Sequence, residues 1–134
     1  MFEYKFPTRY YEADPMGVIH HSEYIRYFEL GRDRWMESLG YGLDKCQAQG
    51  LVFPVVKLEC RYLKSLRFGE TVTVTVQLRE FGGAKAVFEQ QVLGDDGSVR
   101  AEGTVAVGFI DSNAGRICRC PAELAEIFKQ QINN

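Results

Sequence analysis

The densest group of side chains that can do chemistry lies in residues 10–24, YYEADPMGVIHHSEY. Asp14 precedes a Pro-Met-Gly turn, and His20 and His21 stand just before a stretch with helical periodicity. Such a junction can present a carboxylate beside the free N–H groups of a helix N-terminus, which carry partial positive charge and stabilise an oxyanion. The segment therefore carries the groups needed for attack on a carbonyl carbon.

Asp14 also has a purely structural interpretation. The residue before proline is held in an extended conformation, and an aspartate side chain readily caps the turn that follows. Turn preferences alone favour this role for Asp14. The composition of the segment does not decide between the two interpretations.

A zinc site is a third interpretation of the segment, with Glu12, Asp14, His20 and His21 as ligands. The segment has no His-x-x-x-His pair and no cysteine partner, whereas catalytic zinc normally draws three correctly spaced ligands. The four cysteines include no pair with the two-residue spacing of common zinc or redox sites. We therefore expect no metal and no cofactor, and thiols that are reduced and structurally incidental.

The periodicity of apolar residues predicts the elements that must position this segment. A strand precedes it and one long amphipathic helix follows it, because apolar residues recur there at intervals of three and four. After residue 50 the period changes to two, as in half-buried strands joined by glycine-containing turns. The predicted strands are Phe2–Tyr11, Leu51–Tyr62, Thr71–Val76, Lys85–Leu93 and Val99–Ile110, with 111–115 closing the sheet; the predicted helices are Ser22–Leu39, Leu43–Gln49 and Ala122–Ile132.

These elements indicate an α+β protein in which an antiparallel sheet packs on one helix. Gly31 in the middle of that helix costs about 1 kcal/mol relative to alanine, so we expect it to allow a close approach of the helix to the sheet. A five-stranded sheet leaves its edge strands open, and a symmetric partner can cover them by strand pairing. We therefore expect a homodimer or a homotetramer.

Composition bounds the class of protein. The 134 residues are 46% hydrophobic and 25% charged, and they contain no run of about 18 apolar residues to span a bilayer. The first residues, MFEYK, lack the basic leader and apolar region of a secretory signal. With 16 basic and 18 acidic residues, the chain has no overall field that attracts nucleic acid. We expect one cytoplasmic domain, residues 1–134, without membrane insertion.

The run from Asp14 to Glu29, DPMGVIHHSEYIRYFE, closely resembles the 4-hydroxybenzoyl-CoA thioesterase family of hot-dog proteins, including the thioesterases associated with the Tol-Pal system. In that family an Asp precedes a Gly-containing turn, an aromatic or His pair, a Tyr and a helix ending in an aromatic-Glu-x-x-Arg pattern, here Phe28–Arg32. Residues 62–70 and the element order over residues 3–111 also match. The resemblance implies a hot-dog fold, with a five-stranded antiparallel sheet wrapped around one long central helix, to which this chain adds a short C-terminal helix.

The resemblance further implies an acyl-CoA thioesterase, with Asp14 acting on the thioester carbonyl as nucleophile or as general base for a water. The backbone N–H of His21 would supply an oxyanion donor, and the side chains of His21 and Tyr10 would assist catalysis or orient Asp14. The alternative interpretation of His21 is a solvated residue at a helix start, with no catalytic role. For His20 we favour a structural role, because adjacent residues at a helix start point apart.

Candidate residues for binding acyl-CoA follow from the same resemblance. Lys64 and Arg67 lie in the turn where the family places pantetheine and nucleotide, and the phosphates of CoA need basic partners. Gly17 and Tyr24 are the further candidates for substrate binding. Each basic residue is otherwise an ordinary solvated charge, and Tyr24 is equally explicable as core. The acyl group is left open, because the resemblance implies a pocket built across subunits from residues whose register the sequence does not give.

Two other functions are compatible with this fold. A non-catalytic acyl-thioester binding module is the runner-up, and Asp14 discriminates it from an enzyme, because a binder has no need of the acid. A hot-dog dehydratase ranks last, since those enzymes resemble a different pattern, with a His before the long helix in a longer loop.

Overall fold

A computed structural model describes residues 1–132 of the chain. Its strands are β1 (Phe2–Pro7), β2 (Leu51–Val52), β3 (Val55–Tyr62), β4 (Thr71–Phe81), β5 (Ala86–Leu93), β6 (Val99–Val107), β7 (Ile110–Asp111) and β8 (Arg116–Ile117). Its α-helices are α1 (His21–Ser38), α2 (Leu43–Gln49) and α3 (Ala122–Gln131), and a 3-10 turn spans Tyr10–Glu12. The larger sheet has the order β1-β4-β5-β6-β3, and every neighbouring pair in it is antiparallel. The predicted α+β class and five-stranded antiparallel sheet are therefore confirmed.

Helix α1 lies on one face of the larger sheet, where its buried residues recur at intervals of three and four. A Cβ atom added at Gly31 would lie 3.0 Å from both γ-methyl groups of Val74 and 3.1 Å from a methyl group of Val76, both on β4. These separations are shorter than ordinary van der Waals contact. The close approach predicted at Gly31 is confirmed, and glycine is needed there for space.

The first strand ends earlier than predicted. It stops at Pro7 instead of Tyr11, because both the N–H and the hydroxyl of Thr8 bond to the backbone oxygen of Glu70, each at 3.1 Å. The chain then closes the 3-10 turn, in which the Glu12 N–H donates to the oxygen of Arg9. Tyr10 and Tyr11 consequently lie outside the sheet.

Two further boundaries are corrections to the sequence prediction. The predicted strand Leu51–Tyr62 is interrupted at Pro54, which has no N–H for a strand ladder, and it forms β2 and β3 instead. Residues 110–111, expected at the end of the larger sheet, pair with β2 and β8 in a separate three-stranded sheet. Strand β4 continues beyond the predicted end at Val76, to Phe81.

The C-terminal helix α3 was predicted from its amphipathic pattern and is present. Its Phe128 is 1% exposed, with the ring centroid 5.5 Å from that of Trp35 on α1 and 5.2 Å from that of Phe81 on β4. The helix therefore seals the core where α1 and β4 meet. Within residues 1–132, no helix has both the length and the apolarity needed to cross a bilayer.

We predict that Gly31→Val lowers the free energy of unfolding by about 1–3 kcal/mol, the usual cost of overpacking a core. The change does not lower helix propensity, so any loss reports the contact with β4. Urea unfolding measures the loss. Gly82→Ala is the control, because a Cβ there meets nothing within 4 Å, and its effect should stay within about 0.5 kcal/mol. Equal stability of the two variants would contradict the prediction.

Candidate active site

Asp14 opens a tight turn that holds its own carboxylate. The Gly17 N–H donates to the Asp14 backbone oxygen at 3.0 Å, and Gly17 has a φ of 78°, which glycine adopts without strain. The Oδ1 atom of Asp14 accepts from the N–H of Met16 at 2.8 Å and of Val18 at 3.1 Å. No described residue donates to Oδ2. One carboxylate oxygen is therefore fixed by the backbone, and the other is free to act.

The Asp14 turn is closed directly onto the start of α1. Ala13 pairs with Ile19 in an antiparallel bridge, and the Asp14 N–H donates to the Val18 oxygen at 2.8 Å. The N–H of His20, the residue before the helix, donates to the Glu12 oxygen at 2.9 Å. Residues 13–20 thus form a short closed loop, which places the N-terminus of α1 beside the Asp14 turn.

His20 caps the helix, which agrees with the structural role expected of it, but its ring centroid lies only 4.3 Å from that of His21, so the two side chains do not point apart as predicted. Its Nδ1 atom accepts from the Ser22 N–H at 3.2 Å and lies 2.8 Å from the Ser22 hydroxyl. His21 is the first residue of α1, and its backbone N–H donates to no other residue within 1–132. The helix dipole adds partial positive charge at this end. The His21 N–H is therefore an open donor of the kind that stabilises an oxyanion.

These groups border a cleft of about 380 Å³, which we call the Asp14 cleft, lined by Asp14, 18–21, Tyr24 and 62–65. It brings together four of the residues selected from the sequence: Asp14, His21, Tyr24 and Lys64. The Nζ atom of Lys64 lies 3.7 Å from the carboxylate of Asp96, an exposed pair at the wall of the cleft. Gly17 shapes the turn under Asp14 but does not line the cleft.

Two tyrosines form the aromatic wall of the cleft. The Tyr62 hydroxyl donates to the backbone oxygen of His21 at 2.9 Å, and the Tyr24 hydroxyl accepts from the Leu66 N–H at 2.8 Å. Their ring centroids are 5.3 Å apart in an edge-to-face arrangement. Burial raises the pKa of Tyr24 and, with the hydrogen bond to Cys60, the pKa of Tyr62 to about 12. Both phenols therefore keep their protons at neutral pH.

The loop at residues 63–70, whose first three residues line the cleft, is fastened by Arg100, which is 4% exposed. Its guanidinium bonds both carboxylate oxygens of Glu70, at 2.7 and 2.9 Å, and the backbone oxygen of Ser65 at 2.8 Å. Burial alone would raise the pKa of Glu70, but hydrogen bonds from Arg100 and from backbone N–H groups outweigh burial and lower it. A bidentate ion pair of this kind fixes the loop geometrically.

Tyr10 and Arg67, both selected from the sequence, lie beside the cleft but do not line it. Tyr10 is 81% exposed on the 3-10 turn and packs edge-on against Phe68, with ring centroids 5.9 Å apart. The Arg67 backbone bridges to Val18, and its guanidinium lies 3.5 Å from the Met16 backbone oxygen. Arg67 therefore borders the outer side of the Asp14 turn.

Sequence analysis did not select Tyr62, Leu66 or Arg100. The available signals were weak: a bulky tyrosine at the end of a strand, and a leucine between two basic residues of a loop. Leu66 is fully buried, and its backbone oxygen accepts from the Ile19 N–H at 2.9 Å. It therefore joins the loop at residues 63–70 to the segment between Asp14 and α1. Each contact links residues far apart in the chain.

A larger cleft of about 580 Å³ lies across β3–β6 and is lined mainly by Glu, Gln and Thr residues. It contains no helix N-terminus, and its acids Glu59, Glu89 and Glu102 each lie within 4 Å of a basic side chain. The Asp14 cleft is therefore the better candidate active site. Within residues 1–132, no three His, Cys, Asp or Glu side chains are grouped to hold a metal ion.

An antiparallel five-stranded sheet packed on a helix, with an acidic turn at the helix start, defines the hot-dog class of α+β proteins. The chain belongs to the thioesterase-like superfamily, which it matches over residues 8–128. A hypothetical protein of Thermus thermophilus, TT1821, is similar in structure with a TM-score of 0.90 and 31% identity, covering 96% of this chain and 98% of that one. The predicted hot-dog fold is therefore confirmed as the fold of this superfamily.

Several relatives carry the names of enzymes. YneP of Bacillus subtilis, provisionally named an acyl-CoA thioesterase, is 30% identical over 107 residues, which are 80% of this chain and 78% of YneP. The acyl-CoA thioesterase YbgC of Haemophilus influenzae is 27% identical over 128 residues, with 93% of each chain covered. The similarity to both covers most of each protein's length.

Proposed function

We propose that this protein hydrolyses an acyl-CoA thioester to a free acid and CoA. One observation carries the proposal: the free Oδ2 of Asp14 and the open N–H of His21 border the same cleft. A thioesterase needs a base or nucleophile and a donor for the developing oxyanion, and these two groups supply both. The names of YneP and YbgC support the same activity.

Asp14 acts in one of two ways, both of which use its ionised Oδ2. As general base it takes a proton from a water whose oxygen attacks the carbonyl carbon; as nucleophile it forms an acyl-aspartate anhydride that water then cleaves. In either route the carbonyl oxygen gains negative charge and accepts from the His21 N–H, after which the C–S bond breaks and CoA leaves as a thiolate. The His21 side chain, exposed on the cleft, assists proton return to the thiolate.

CoA enters past the basic residues at the mouth of the cleft. Lys64 lines the wall, and Arg67 borders the Asp14 turn, so phosphates of CoA bind near both. The Tyr24 ring and the Gly17 turn bound the thioester end. Tyr10 lies outside the cleft of a single chain and packs against Phe68. Its proposed role in assisting catalysis or orienting Asp14 is therefore supported only by the family resemblance.

A second copy of the chain completes the site. Strand β3 is an edge strand of the larger sheet. Its apolar residues Val55, Val56 and Tyr62, and Leu63 directly after it, are 45–61% exposed. Antiparallel pairing of two β3 edges would cover these residues and place an acyl pocket between protomers. We therefore assign a homodimer or a tetramer built from dimers.

The proposal also includes a subfamily, a domain extent and a cellular location, all of which are more specific than membership of the superfamily. We place the protein with the 4-hydroxybenzoyl-CoA thioesterase type, including the Tol-Pal-associated enzymes, with residues 1–134 as one domain and α1 as the central helix around which the sheet curves. We assign it to the cytoplasm, in accord with its four free cysteines.

Asp14→Asn should lower kcat by about 10² to 10⁴, the usual contribution of a positioned acid–base group, with KM little changed. The amide keeps the shape of the side chain and removes its charge. Steady-state hydrolysis across a panel of acyl-CoA esters measures the effect. Asp44→Asn on α2, exposed and outside the cleft, is the matched control and should keep full activity. Near wild-type rates for a folded Asp14→Asn protein would favour a different mechanism, and undetectable wild-type hydrolysis would favour the binding module.

Arg67→Ala should raise KM about fivefold while kcat changes little, because an exposed phosphate contact of about 1 kcal/mol is made equally in ground and transition states. A truncated pantetheine ester lacks the phosphates, so the effect should vanish with it, whereas the Asp14 effect should persist. Arg79→Ala, an exposed arginine on β4 paired with Glu89, is the control. An equal loss with both esters would show that Arg67 supports the catalytic turn instead.

Light scattering at micromolar concentration should give a mass two or four times the 15.3 kDa of the chain. The reason is the open, apolar β3 edge. A stable monomer that still hydrolyses substrate would contradict the shared pocket.

A further inference from the structure

Glu12 is a buried carboxylate that no step of the proposed reaction uses. Only 4% of its surface is exposed. Its Oε1 atom accepts from the Tyr27 hydroxyl and from the Arg9 N–H, both at 2.8 Å, and Oε2 lies 3.5 Å from the Arg9 guanidinium. Every polar partner of this carboxylate is therefore supplied by the protein.

A buried charge is costly unless it is fully hydrogen-bonded, so its position is informative. Tyr27 lies on the buried face of α1 and is 1% exposed. Burial raises the pKa of Tyr27, and the hydrogen bond to Glu12 raises it further, so the phenol keeps its proton and remains a donor. The bond ties the 3-10 turn to α1 from inside the protein.

The same residue is tied to α1 a second time through its backbone. The Glu12 oxygen accepts from the His20 N–H at 2.9 Å. In the chain, the Asp14 turn lies between Glu12 and His20, and His21, the first residue of α1, lies between His20 and Tyr27. Glu12 is thus joined to α1 through both its side chain and its backbone, at the residue where the Asp14 turn begins.

We propose that Glu12 and Tyr27 are positioning residues that hold the Asp14 carboxylate in register with the open N–H of His21. The consequence for catalysis rests on the proposed function, whereas the ordering of residues 13–20 follows from the geometry alone. Small errors in the placement of reacting groups cost large factors in rate, so a loosened turn lowers turnover more than substrate binding.

A bond that served only global stability would leave a different signature. Its loss would lower the stability of the whole protein without opening residues 13–20 in particular. A positioning bond, when removed, allows this segment to open while the core stays folded. The N–H groups of Val18 and His20 report that opening, because they bond to Asp14 Oδ1 and to the Glu12 oxygen.

Tyr27→Phe is the test, and Tyr41→Phe is its matched control. Tyr41 is also fully buried and its hydroxyl donates to a side chain, that of Gln49, but it lies beyond the opposite end of α1. For Tyr27→Phe we expect kcat to fall about five- to tenfold with KM within about twofold, the loss expected from one buried hydrogen bond. Amide exchange at Val18 and His20 should accelerate about tenfold. Tyr41→Phe should change neither quantity.

Glu12→Gln tests the carboxylate side of the same contact. The carboxamide oxygen can still accept from Tyr27 and from the Arg9 N–H, so kcat should recover to within about threefold of wild type. Glu12→Ala, which removes both bonds, should lose at least as much kcat as Tyr27→Phe if it folds.

Two results would overturn the inference: exchange at Val18 and His20 no faster in Tyr27→Phe than in Tyr41→Phe, or faster exchange with unchanged kcat. Failure of the proposed function has a separate signature, since a wild-type protein that hydrolyses no acyl-CoA still yields the exchange comparison. Faster exchange in that protein would support the ordering of residues 13–20 by Glu12 and Tyr27, and unchanged exchange would overturn it.

Discussion

The close contact between α1 and β4 at Gly31 is the constraint on which the site depends. Because a helix repeats every 3.6 residues, Tyr27 and Tyr24 share the face of α1 that Gly31 presents to the sheet. Their hydroxyls bond the Glu12 carboxylate and the Leu66 N–H, one in each loop flanking the cleft. A side chain larger than hydrogen at Gly31 would lift the helix and move both hydroxyls away from their partners.

Polar groups inside the protein are satisfied, whereas the cleft leaves selected groups open. No buried side-chain nitrogen or oxygen within residues 1–132 lacks a partner. Glu12 and Arg100, each 4% exposed, anchor the two loops that flank the cleft through charged hydrogen bonds. Against that background, the free Oδ2 of Asp14 and the unbonded His21 N–H stand out as groups available to a substrate. In the proposed reaction, these two groups must keep a fixed relation to each other, because electrostatic stabilisation of an oxyanion requires donors that are already in place.

The reaction that we propose for this site is chemically undemanding, which suits the small number of groups in the cleft. A thiol has a pKa of about 8.5, so a CoA thiolate leaves readily and needs little help from an acid. The main requirements are an ionised carboxylate and a donor for the carbonyl oxygen. Backbone N–H groups fix Oδ1 of Asp14 and leave Oδ2 for the proposed role.

The sequence by itself determined the elements and the local part of the site. Periodicity predicted α1 and the five strands, and the Asp14 turn was visible because Asp14 and His21 are joined by a short segment whose proline, glycine and cap act locally. Tertiary structure decided the rest: Tyr62 reaches His21 across 41 residues, and Arg100 reaches Glu70 across 30. Such pairs depend on strand order and register, which no local period encodes, because residues distant in the chain meet only when the sheet forms around the helix.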